Sequence, residues 1–140
     1  MKERSAFLAN IGYRKEEAQT YEKLGQIFCS TGKFVKAKEY IEKALAITTE
    51  FGDRQGERSC YEKLGTVFRS LGDNVKAKEY LEKALAITID IRDRIGEGKC
   101  YQKLGTVCIS LGDYVKAKEY VEKALAFAIE TADKYGEGLL

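Results

Sequence analysis

The chain has 140 residues, 33% of them charged and 44% hydrophobic, a balance that excludes a disordered chain and a membrane-embedded one. Twenty-four basic residues against twenty-two acidic ones leave a formal charge of +2, too small to point to a nucleic-acid or anionic-membrane partner. The N-terminus MKERSAFLANIGYRKEEAQ lacks the uninterrupted apolar core of a signal peptide, and no run approaches a membrane span, so the expected location is cytoplasmic.

Taken from the N-terminus, residues 1–17 read as the remnant of a unit that three fuller copies then repeat. YEKLGQIFCSTGKFVKAKEYIEKALAI begins at Tyr21, YEKLGTVFRSLGDNVKAKEYLEKALAI at Tyr61 and YQKLGTVCISLGDYVKAKEYVEKALAF at Tyr101, a period of 40. Self-similarity at such a period signals supersecondary units that stack, each too small to bury its own apolar face. The units are placed at residues 18–57, 58–97 and 98–137 of one repeat domain spanning 1–140, the tail of the third beginning the next helix.

Proline is absent, so glycine and aspartate must separate the helices. In the second unit Asp53 is suited to cap a helix running to about Ser70, Leu71-Gly72 to make the turn, and Asp73 to cap a helix to about Asp90. Asp93, Asp113 and Asp133 recur in matching places, while Lys33 stands where Asp73 and Asp113 do, weakening that start by about 1 kcal/mol. Two helices per unit follow, each of about 17 residues and about 25 Å.

Tyr61, Leu64 and Phe68 share one face of the first helix, and Ala77, Leu81, Ala84 and Leu85 form the complementary stripe on the second. Gly25, Gly65 and Gly105 occupy helix interiors at a cost of about 1 kcal/mol each relative to alanine, which implies close backbone approach. Cys60, Cys100 and Cys108 are expected as small packed side chains, and Cys29 as exposed. Lys78 with Glu82, and Glu79 with Lys83, are spaced for ion pairs on the helix surface.

There is no histidine, no GxxxxGK[ST] loop, no CxxC spacing and no nucleophile-base pair, so neither catalysis nor a metal or other cofactor is expected. The lysines of VKAKEY are interleaved with glutamates, which favours a solvated face over a nucleic-acid site.

The set Tyr61, Leu64, Gly65, Phe68, Gly72, Ala77, Ala84 and Leu85, recurring three times, resembles the tetratricopeptide repeat. The family's usual period is about 34 residues; the longer unit here is similar to the 40-residue variant of Pins-type polarity adaptors. Gln26, Thr66 and Thr106 stand where those adaptors place a groove asparagine, so their ligands do not carry over. The resemblance implies an all-α fold, a right-handed superhelical solenoid of antiparallel helix pairs, and a non-catalytic protein-protein interaction module whose first helices line a concave groove.

On that wall spacing sets Lys23 and Gln26, then Glu62, Lys63, Thr66 and Arg69, then Lys99, Lys103 and Thr106. Lys23, Lys63 and Lys103 form a ladder, and with Lys99 and Arg69 one half becomes basic, so the expected partner is an acidic peptide. The clamp by which one subset of the family grips chaperone tails is matched in charge at Lys99 and Lys103 but not at Glu22, Gln26 and Lys63, and it is not expected to function. The bland alternative is a hydrated helix face.

The last complete helix presents Val121, Ala124, Leu125, Phe127 and Ala128 with a short stub, TADKYGEGLL, behind it. Either a larger parent protein or self-association through this end is expected, and with it the rival role of a structural spacer or self-assembling scaffold.

Overall fold

The computed structural model describes residues 2–136, apart from a few side chains near either end; Met1 and the final four residues of the TADKYGEGLL stub lie outside the described residues. Six helices follow in order: α1 Lys2–Ser30, α2 Phe34–Glu50, α3 Arg54–Ser70, α4 Asn74–Asp90, α5 Arg94–Ser110 and α6 Tyr114–Gly136. Each packs on its chain neighbour, which gives three helix pairs stacked into one solenoid. The four inner helices have 17 residues each.

The punctuation sits where glycine and aspartate put it. Asp53, Asp73, Asp93 and Asp113 accept from the backbone N–H of Gly56, Lys76, Gly96 and Lys116 at 3.0, 3.1, 2.9 and 3.2 Å. Ahead of each cap the preceding helix closes with a six-to-one hydrogen bond, for example Asp73 N–H to Phe68 C=O at 2.8 Å. The residue before the cap is left-handed: Gly32, Gly52, Gly72 and Gly112, with Arg92 (φ 57°) in the fourth turn. Lys33 makes no side-chain cap.

Asp133 does not cap a helix: α6 runs on through it to Gly136. The left-handed turn costs a non-glycine residue roughly 1–2 kcal/mol, and in the inner junctions docking of the following helix offsets it. Ala132 has no such helix upon it among the described residues, and Thr131 Oγ1 instead donates to the Phe127 carbonyl at 2.8 Å, within the helix. At the other end α1 passes Gly12 without a turn and reaches 29 residues.

The core is a ribbon through the stack, with Ile41, Ala44, Leu64, Val67, Leu81, Leu104 and Val107 buried in a single cluster. Within each pair the helices approach at glycine. A Cβ on Gly65 would meet Leu81 Cγ at 2.8 Å, and one on Gly105 would meet Val121 Cγ2 at 2.7 Å. Tyr61, Tyr80 and Phe68 stack beside this contact at 6.0 and 5.3 Å between rings. Lys83 lies over the Tyr61 and Tyr80 rings at 5.6 and 5.4 Å rather than beside Glu79, because two ring faces outbid one exposed carboxylate. Lys78 and Glu82 do pair, at 3.7 Å. One tie is invisible in the local pattern: Arg14 to Glu50, Arg54 to Asp90 and Arg94 to Glu130, at 3.3, 3.1 and 2.7 Å, join the open ends of each pair.

Candidate functional site

The odd-numbered helices form one wall. Ser59 and Lys63 on α3 both donate to Glu22 Oε1 on α1, Lys63 Nζ at 2.9 Å; Cys100 on α5 donates to Glu62 Oε1 on α3 at 3.5 Å. These cross-links run between first helices of successive pairs and hold the wall in register.

All nine wall positions expected from spacing lie on α1, α3 and α5: Lys23, Gln26, Thr66, Arg69, Lys99 and Lys103 are exposed, and Glu62, Lys63 and Thr106 are half-buried. The ladder of lysines is not three equal rungs. Lys63 is engaged by Glu22, whose side chain is only 15% exposed. Lys103 has the equivalent neighbour in Glu62, but Glu62 Oε2 is taken by Arg58 at 3.1 Å.

The difference originates one turn upstream, where Ala18, Arg58 and Gly98 occupy equivalent positions. Ala18 leaves Glu22 to the next helix, whereas Arg58 draws Glu62 back to its own. Lys23, Arg69, Lys99 and Lys103 have no ion-pair partner among the described residues. Towards its C-terminal half the wall therefore carries unpaired cations on α3 and α5, with Ile109 exposed among them and Gln102 where a glutamate would neutralise them.

Cys60, Cys100 and Cys108 are buried and Cys29 is half-buried, less open than its position suggests. Burial pushes the Cys60 and Cys100 thiols up to about 12, with Glu22 and Glu62 adding to the shift. Both stay protonated and unreactive at neutral pH. Among the described residues no group of histidine, cysteine, aspartate or glutamate could hold a metal ion, and no helix is long and apolar enough to cross a membrane.

At the C-terminal end α5 and α6 enclose an open apolar cleft of about 660 Å³ lined by Gly98, Gln102, Val121, Leu125, Phe127 and Ala128 among others. Val121 and Leu125 are 46% and 58% exposed. Phe127 folds back instead, its ring 5.7 Å from that of Tyr101 and under the Arg94 guanidinium at 4.6 Å.

The profile of the tetratricopeptide repeat family matches residues 16–90 and 77–130. The TPR domain of Arabidopsis FLU superposes with a TM-score of 0.79 at 24% identity, over 84% of this chain and 98% of that one. BtubC from P. vanneervenii gives 0.79 at 27% identity over 88% of this chain and 52% of that one, so the chain spans about half of that protein. The second TPR of Spaghetti, bound to the HSP90 peptide SRMEEVD, gives 0.67 at 18% identity over 81% of this chain and 94% of that one. The search of curated protein sequences finds no match.

Proposed function

The chain belongs to the tetratricopeptide repeat family, and on that premise we propose that it is a non-catalytic module that holds an acidic peptide segment along the wall of α1, α3 and α5. The observation that carries this reading is the set of exposed cations without ion-pair partners, Arg69, Lys99 and Lys103, on two adjacent first helices. Carboxylates of the peptide pair with these, and Ile109, exposed on the same wall, offers contact to an apolar side chain. Lys63 contributes less than the repeated sequence column implies, since Glu22 already satisfies it. The peptide SRMEEVD held by the Spaghetti repeat is itself acidic, which supports the choice of ligand chemistry without assigning that ligand here.

The test uses arrayed acidic peptides, SRMEEVD included, each beside a counterpart with Asn and Gln for Asp and Glu. Acidic members are expected to bind, with affinity that falls as salt rises. The pair Lys99→Glu and Lys103→Glu should weaken binding at least about tenfold, the loss of roughly 1.4 kcal/mol, and flatten the salt dependence. Lys116→Glu, on an even-numbered helix, should change neither. If no acidic peptide outperforms its neutral counterpart, the proposal fails.

A further inference from the structure

We infer that the open face of α6 is the docking site for α1 of a second copy of this chain, so that copies join head to tail. The inner junctions are the template. Between α1 and α2 lies the cleft equivalent to the one at the C-terminal end, lined by Ala18, Glu22, Ile47 and Thr48, and there Gly56 and Ser59 of α3 close it to about 280 Å³. Between α5 and α6 the same cleft, with no following helix on it among the described residues, measures about 660 Å³. What fits it is a first helix of a pair, followed by its own partner.

The opposite end of the molecule presents such a helix. Ile27 on α1 is 56% exposed, whereas Val67 and Val107, its equivalents on α3 and α5, are 0% and 1% exposed because a preceding pair covers them. Among the described residues, one face that receives a first helix and one first helix without a receiver therefore coexist.

The two ends also match in detail. In the α2–α3 junction a Cβ on Gly56 would come within 2.6 Å of Thr48 Cγ2 and equally of Asp53 Oδ2, so that γ carbon is one of two obstacles to a side chain there. In the head-to-tail junction Glu16 takes the place of Gly56, and Ala128, which has no γ carbon, takes the place of Thr48. Lys38 lies over the Phe68 ring of the next helix at 5.8 Å; Lys118, 78% exposed, and Phe28 are the corresponding residues across the ends. Where Ser59 and Lys63 meet Glu22, Gln19 and Lys23 would meet Gln102, a polar pairing without opposed like charges.

Both outer helices are longer than the inner ones, 29 and 23 residues against 17. Successive helices here are antiparallel, so the extension of α1 before Tyr13 and that of α6 beyond Glu130 would run side by side and lengthen the contact. The two faces differ, and such a junction propagates instead of closing on a two-fold axis.

Sedimentation of the chain across a wide concentration range should show mass rising with concentration. Ile27→Asp and Leu125→Asp replace side chains more than half exposed, so helix content by circular dichroism should hold, and each variant alone should be monomeric. Mixed in equal amounts they should give a species of twice the monomer mass and nothing larger, because each contributes one intact end. A wild-type chain that stays monomeric throughout, an Ile27→Asp variant that still self-associates, or a mixture that forms no dimer would each overturn the inference.

Discussion

Helices α4 and α6 carry almost the same stripe, Ala77, Leu81, Ala84 and Ile87 against Ala117, Val121, Ala124 and Phe127, and meet opposite environments. Leu81 is 2% exposed and Val121 46%. Both pack on the glycine of their own first helix, Gly65 and Gly105; among the described residues only α4 has a further helix laid over it. The contrast separates two contributions that a buried residue normally merges, the contact inside a pair and the contact between pairs, which is the division expected of a quasi-one-dimensional stack.

Truncation should expose that division most strongly. Leu81→Ala empties a site closed on both sides and should cost about 2–5 kcal/mol, read as a lower urea midpoint. Val121→Ala removes a side chain already half in water and should cost under about 1 kcal/mol in a dilute sample. Equal losses would mean that α6 is covered in solution, and a loss at Val121 that grows with protein concentration would identify the cover as another copy.

The glycine contact supplies the next largest effect and isolates the contribution within a pair. In Gly65→Leu the added Cβ alone lies 2.8 and 2.9 Å from two Leu81 carbons and 3.4 Å from the Ala77 carbonyl, so the helices must part, at a cost of about 1–3 kcal/mol or more. Gly12, a helical glycine with nothing within 4 Å, gives the opposite sign: Gly12→Ala should stabilise by up to about 1 kcal/mol. Thermal unfolding of the two variants checks both, and an unchanged melting temperature for Gly65→Leu would remove close approach as the reason for that glycine.

These positions also mark how far the sequence could be read. Helix bounds were legible because each cap is a local event: an aspartate accepts from the N–H three residues on, whatever lies elsewhere. Asp133 has the same side chain but no turn ahead of it, since that turn depends on a helix docking afterwards, which local sequence does not encode. The wall residues were legible as a face because helical periodicity sets direction. Their electrostatic state was not. Lys63 and Lys103 occupy one column of the repeat, yet their difference is decided by Ala18 and Arg58, outside that column and on the preceding first helix. The arginine ties across each pair, such as Arg54 to Asp90 at 3.1 Å, join residues 36 apart and follow from no helical spacing.

The smallest effects test the turns, where the first and second pairs differ by single residues on nearly the same backbone. Lys33 has φ −93° and ψ 71°, against −96° and 78° at Asp73, which accepts the cap bond that Lys33 does not. Lys33→Asp therefore needs no rearrangement and should stabilise by about 1 kcal/mol through the recovered hydrogen bond and the favourable charge at the helix start. Arg92 holds φ 57° where Gly52 holds 65°; Arg92→Gly relieves the left-handed strain of roughly 1–2 kcal/mol but loosens the unfolded chain by about 0.4–1 kcal/mol, leaving a net gain of up to about 1.6 kcal/mol. The two gains should add, because the sites lie in different turns with no shared partner. A double variant no more stable than Lys33→Asp alone would show that Arg92 is held without strain, by the α5 docking that α6 lacks.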